Sequence, residues 1–214
     1  YEFMGLKCSI GEVANRIQAS ELQDKGVLAN CHVNVLQTQD HPQFKTYAEE
    51  LKWLTTDKVR MKWIANTIKD IATSGNTLIL VDRISAGGIL EKEIDDSVFV
   101  SGSTKNTDRK EQYDEVSTAT NKVIIATYGV ASVGINIPRI FNLVLIEPGK
   151  SFVRVIQSIG RGIRKAEDKE NVQIWDITSS CKFAKRHLGA RKKFYKEANY
   201  PYNIEKVNYE NPYT

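Results

Sequence analysis

Between residues 77 and 198 the chain alternates short apolar runs with amphipathic stretches of helical period. The runs at 77–81, 97–100, 122–126, 142–146 and 172–176 are rich in Val, Ile and Leu. Such runs mark strands buried on both faces of a parallel sheet. Between and after them the spacing predicts helices over 84–94, 107–118, 130–133, 152–164 and 180–198. Strand alternating with helix implies right-handed crossovers and an α/β three-layer sandwich on a mostly parallel sheet. Ligands of such sheets bind beyond the carboxyl ends of the strands.

Upstream the pattern changes. Residues 11–18 read as an extended arm or strand, 19–25 as a short helix and 27–36 as a β-branched strand. The stretch 43–73 reads as largely helical, apolar at Leu51, Leu54, Val59, Ile64, Ile68 and Ile71. Pro42 suits its entry, and Ser74-Gly75-Asn76 punctuates its end. Residues 200–214, rich in Asn, Tyr and Pro, read as a strap that frays. The expected organisation is an entry segment over 1–40, a lobe over 41–198 and a tail over 199–214. The chain opens at Tyr1 inside sequence of folded character, so it reads as a piece excised from a longer protein.

Composition narrows the classes. At 214 residues with 41% hydrophobic content, one sizeable core can be built. No apolar run approaches the ~18 residues of a membrane span and no secretory leader is visible, so a cytoplasmic setting is expected. Cys8, Cys31 and Cys181, like His32, His41 and His187, are scattered. That argues against a disulfide or zinc framework, and no metal site is expected. Net charge is +4, unevenly spread: residues 150–198 hold 13 Lys/Arg against 5 Asp/Glu (+8), leaving 17 against 21 (−4) elsewhere. A polyanion meeting the C-terminal half fits this asymmetry, which does not by itself separate nucleotide, nucleic acid and solubility.

The candidate chemistry centres on Gln157-Ser158-Ile159-Gly160-Arg161-Gly162-Ile163-Arg164. On a helix, Gln157, Arg161 and Arg164 share one face, while Gly160 and Gly162 open room beside Arg161. Guanidinium groups keep their charge and match phosphate oxygens, and a pair of them suits the charge developing on a transferring phosphoryl group. Thr127, between a strand and a helix start, offers a hydroxyl and free N–H groups, as a phosphate-binding corner or a helix cap. Ser101-Gly102-Ser103-Thr104 follows another strand in the same way, as a phosphate contact or a turn. Gly134-Ile135-Asn136-Ile137-Pro138 is a tight loop. Gly149-Lys150-Ser151 resembles the end of a P-loop, but Val144 stands where such a loop needs glycine. Asp114-Glu115 lies in a polar helix and reads as solvated surface rather than a metal-holding pair. Over 180–198 the basic residues Lys182, Lys185, Arg186, Arg191, Lys192, Lys193 and Lys196 are expected to face outward, against solvent or phosphate, while Phe183, His187, Phe194 and Ala198 pack inward.

Taken in order, these pieces resemble the second RecA-like lobe of a superfamily 2 helicase. Residues 77–84 resemble motif IV, VIIATYGVASVGINIP (123–138) motif V, and 157–164 motif VI. The wording of 129–166 is similar to the UvsW-type recombination helicases of T4-like phages. The resemblance implies Arg161 and Arg164 as catalytic arginines reaching for the γ-phosphate of ATP, with Arg164 the likelier finger. Gln157, Gly134, Asn136 and Gly160 would line the ATP site. Many relatives carry Asp where Asn136 stands, which leaves a ribose contact there without a charge. Thr127, Ser101, Gly102, Ser103, Thr104 and Arg83 would contact DNA. It further implies that ATP and Mg²⁺ are held together with a first lobe outside this chain, and that this piece alone does not hydrolyse ATP. The implied substrates are branched, single- or double-stranded DNA and RNA–DNA hybrids, remodelled in recombination and repair, in the host cytoplasm for a phage protein. Competing readings are another superfamily 2 motor such as a restriction translocase, a non-catalytic nucleic-acid binding or annealing module, and a nucleotide-binding protein using Gly149-Lys150-Ser151.

Overall fold

The computed structural model describes residues 31–102, 104, 108–111, 121–132, 140–149, 152–163 and 172–210, with side chains in 152–163 described as far as Gln157. The segments expected at 11–25, and all but residues 108–111 of the helix expected at 107–118, lie outside these residues.

Runs of Val, Ile and Leu with no polar alternation must bury both faces, and they do so by pairing side by side. Strands β1 (Cys31–Thr38), β2 (Thr77–Val81), β3 (Ser97–Val100), β4 (Val123–Thr127), β5 (Asn142–Ile146), β6 (Val172–Ser179) and β7 (Tyr202–Val207) form one sheet in the order β3-β4-β2-β5-β6-β1-β7. Every neighbouring pair is parallel. The central strands β2 and β5 are buried along their whole length.

Helices α1 (Tyr47–Thr56), α2 (Lys58–Ala72), α3 (Ile84–Glu93), α4 (Tyr128–Ser132), α5 (Phe152–Ile163) and α6 (Lys182–Glu197) complete the layers. Side-chain alternation along the strands assigns the faces. Leu78, Leu80, Leu143 and Leu145 share a core with Val130 of α4, Phe152, Val155 and Ile156 of α5, and Leu188 and Tyr195 of α6. Ile79, Val81, Val144 and Ile146 share the opposite core with Ile64 and Ile68 of α2 and Ala86 and Leu90 of α3. The result is the expected three-layer α/β sandwich on a parallel sheet. No described helix is long and apolar enough to cross a membrane.

Five details depart from the expectation. The stretch 43–73 is two helices, broken at Asp57, whose extended backbone ends α1 while its carboxylate accepts the Arg60 N–H to start α2. Thr55 and Thr56 before it turn their hydroxyls back onto the carbonyls of Leu51 and Lys52. Strand β6 runs three residues beyond 176, and Thr127 closes β4 rather than following it. The expected strap contains β7, an exposed edge strand paired in parallel to β1. Finally, Arg191 does not face outward: it is 3% exposed and lies against the sheet with Ala184, Leu188 and Tyr195.

Candidate functional site

Crossovers leave β2 toward one face of the sheet and its neighbours β4 and β5 toward the other. From β2 the chain passes to α3 on one face, and from β4 to α4 on the other. Since β2 and β4 are neighbours, the carboxyl ends of these two strands form a topological switch point, where α/β sheets open a crevice for ligands. Val81 of β2 pairs in register with Thr127 of β4, so the motif-bearing ends lie abreast, about 4.8 Å apart. Strand β3 lies on the far side of β4 and adds the Ser101 turn; β5 lies on the far side of β2 and leads into α5.

At this edge the expected residues take defined places. Thr127 is half-buried and its Oγ1 accepts the Val130 N–H at 3.3 Å, capping α4 while keeping its own proton to donate. Ser101 is buried in a closed turn: its N–H donates to Thr104 Oγ1 and its carbonyl accepts the Thr104 N–H, both at 3.1 Å. Arg109, absent from the expected set, donates to the carbonyls of Ser101 and Gly102 at 2.9 and 3.2 Å and brings a cation to that corner. Gly102 is exposed, and Arg83 is half-buried with Nε 3.7 Å from the Asp82 carboxylate. Gln157 is half-buried on α5, and Gly160 and Arg161 continue the same helix. Ser103, Gly134, Asn136, Arg164, Asp114, Glu115, Lys150 and Ser151 lie outside the described residues.

Next to this edge stands a buried polar network that motif reading missed. Arg60 of α2, 0% exposed, donates from Nη2 to Glu147 Oε1 at 2.6 Å and from Nε to Thr38 Oγ1 at 3.2 Å, while Nη1 serves the Leu54 carbonyl. Thr178 Oγ1 donates to the other Glu147 oxygen at 3.2 Å. Asp40 lies 3.6 Å from Arg60 and accepts the hydroxyls of Thr38, Ser179 and Tyr209. Burial pushes the Glu147 carboxyl up to about 7, against the lowering pull of Arg60 and Arg191. On the other face Arg191 forks onto Asp176, Nε to Oδ2 at 2.7 Å and Nη2 to Oδ1 at 2.9 Å, and Tyr195 donates to Oδ2 at 2.7 Å. Burial opposes the charge on Arg191, but the Asp176 carboxylate outweighs it and the net shift is upward. The available signal was positional. Arg60 continues the stripe of Ile64, Ile68 and Ile71, and Arg191 that of Ala184, Leu188 and Tyr195, so each is a charge where the helix faces its core.

Residues 59–166 match the helicase conserved C-terminal domain. The chain is 29% identical over 195 residues to the ATP-dependent DNA helicase uvsW of Enterobacteria phage T4, covering 86% of this chain and 39% of that protein. The crystal structure of T4 UvsW superposes with a TM-score of 0.72 at 25% identity, over 84% of this chain and 42% of that one. The E. coli DEAD-box protein SrmB, solved bound to regulator of ribonuclease activity A, shares the fold at a TM-score of 0.58 and 16% identity, over 87% and 96% of the respective chains. The chain thus spans about two fifths of the length of the T4 protein.

Proposed function

The chain belongs to the helicase conserved C-terminal domain family, and we propose that it is the second motor lobe of an ATP-dependent DNA helicase or translocase that remodels branched DNA. Junction migration, fork regression and unwinding of RNA–DNA hybrids in recombination and repair are the activities this reading assigns to the whole protein. The T4 relative is named a DNA helicase, which favours DNA over RNA as the track.

The observation that carries the reading is the abreast placement of the β3, β4 and β2 carboxyl ends beside the β5–α5 connection. Thr127, the Ser101–Thr104 turn and Arg83 would then hold backbone phosphates of one strand, positioning it without reading its sequence. The sequence spacing would put Gln157, Arg161 and Arg164 on one helical face, where amide and guanidinium donors suit phosphate oxygens, and this reading adds Gly134, Asn136 and Gly160 to the same site. Bound ATP supplies the phosphoryl bond whose cleavage drives the cycle. Arg164, backed by Arg161, stabilises the charge on the transferring group, an effect of about 10³–10⁵-fold for finger arginines generally. On this reading Mg²⁺ accompanies the nucleotide. Its ligands, and the P-loop lysine, fall to a first lobe outside this chain. Val144, where a P-loop requires glycine, is a buried residue in the middle of β5, so Gly149-Lys150-Ser151 does not close such a loop. This lobe alone is therefore expected to be inactive as an ATPase.

The test is DNA-stimulated ATPase of the full-length protein on a branched DNA, with Arg164→Ala alongside. Loss of turnover with DNA binding retained supports the motor reading. A full-length protein that hydrolyses nothing, or an Arg164→Ala variant as active as the parent, removes it in favour of a binding or annealing module.

A further inference from the structure

The connection from β5 to α5 is fastened at every residue from 146 to 149. The Ile146 carbonyl accepts the Tyr128 hydroxyl at 2.9 Å. Glu147 stands at φ 45°, a left-handed conformation that a residue with a side chain adopts at a cost, and its N–H donates to the Ile177 carbonyl at 3.0 Å. Its carboxylate is held by Arg60 from α2 on one face of the sheet. The Pro148 carbonyl is held at 2.8 Å by Nη1 of Arg191, from α6 on the other face. The Gly149 carbonyl accepts the Phe152 N–H at 3.2 Å, and that bond opens α5. The Phe152 ring then meets Phe194 and Tyr195 of α6 edge-on, with centroids 5.4 and 5.5 Å away.

We propose that Arg60 and Arg191 are positioning residues which, by gripping Glu147 and Pro148 from opposite faces of the sheet, set the direction of α5 and with it the placement of its arginines. This rests on the reading that α5 serves the transferring phosphoryl group. Two buried guanidinium groups thus fasten the consecutive residues Glu147 and Pro148. Asp176 already neutralises Arg191 through a two-pronged bond, yet the third nitrogen is spent on a main-chain carbonyl at the foot of α5. A helix fixed at its foot is a lever. Arg161 lies ~14 Å along α5 from Phe152 at ~1.5 Å per residue, so a tilt of ~5° displaces it by ~1 Å. Misplacement of that size costs on the order of 100-fold in rate when it separates a catalytic group from its reacting atom.

Arg191→Lys separates this role from plain stability. One ammonium keeps a charge beside Asp176 but cannot serve both prongs and the Pro148 carbonyl. Tyr195→Phe is the control, since it removes a bond to the same Asp176 and leaves Pro148 alone. Both variants, and Arg60→Lys, are made in the full-length protein. DNA-stimulated ATPase is measured beside hydrogen exchange of the peptides spanning 149–163. The expected result for both lysine variants is faster exchange confined to α5 and a kcat lower by about 10- to 100-fold, with KM for DNA within about twofold. Tyr195→Phe should match the parent in both readouts. Unchanged α5 exchange in the lysine variants, or an equal loss in Tyr195→Phe, overturns the proposal. If a lysine variant does not fold, the other carries the comparison. A parent protein without ATPase overturns the motor reading, and the exchange measurement still decides the grip itself.

Discussion

Glu50 of α1 caps α6 across the edge of the sheet, its two carboxylate oxygens accepting the backbone N–H groups of Phe183 at 3.0 Å and Ala184 at 2.8 Å. The first turn of any helix leaves its N–H groups without internal partners, and α6 receives no cap from Cys181, the residue before it. A carboxylate from a different helix supplies the missing acceptors, so one contact both caps α6 and ties α1 down over the cluster of Leu54, Cys181 and Ala184. Glu50→Ala should therefore destabilise the fold by about 1–2 kcal/mol, with Glu50→Gln, which retains one acceptor, losing less. Denaturant midpoints of the two variants check this. A Glu50→Ala midpoint equal to that of the parent means the cap contributes nothing.

The packing of α3 on β3 depends on one missing side chain. A Cβ placed on Gly87 would lie 2.4 Å from Cζ of the Phe99 ring, with other ring carbons at 2.5 and 2.8 Å. Gly87→Ala gains helix propensity but forces that ring or the helix to move, and the overpacking should win, with a net loss of about 1–3 kcal/mol. Trimming the ring should recover the loss, so Gly87→Ala combined with Phe99→Leu is expected to melt above Gly87→Ala alone. If Gly87→Ala raises the melting temperature, Phe99 yields freely and the contact is loose.

The core strands were legible because an unbroken Val/Ile/Leu run has few other ways to be buried. Leu78, Ile79 and Leu80 could only sit inside a sheet covered on both sides. The break between α1 and α2 was not legible, because apolar spacing continues from Leu54 to Ile64 and only Asp57 marks the restart. Strand β7 is held by main-chain pairing to β1 with its middle exposed, so apolar patterning had little to report. Motif wording put Arg83, Ser101 and Thr127 at strand ends. That those ends lie abreast depends on the order β3-β4-β2, which departs from the chain order by seating β4 between β3 and β2 and emerges only on folding. Arg60 and Arg191 were hardest to read. A charge on an apolar stripe looks like a gap in the stripe until its partner appears, and Glu147 lies 87 residues from Arg60.

Glu147 gives the fold a dependence on pH of definite sign. Its carboxyl has an ordinary value near 4.5 and is raised in the folded chain to about 7, with burial outweighing Arg60 and Arg191. Between those values the folded state binds a proton that the unfolded state has released. The contribution is full below pH 4.5, declines as pH rises, and is lost above 7. The size is about 3 kcal/mol at ~1.4 kcal/mol per unit, a large share of a marginal stability. Glu147→Gln removes the titration while leaving an oxygen to accept from Arg60 Nη2 and an amide to donate toward Thr178. Unfolding free energies taken from pH 5 to 8 should fall more steeply for the parent than for Glu147→Gln, and the difference should level off above pH 8. Parallel curves would mean that Arg60 keeps Glu147 ionised across the range, the ion pair having prevailed over burial.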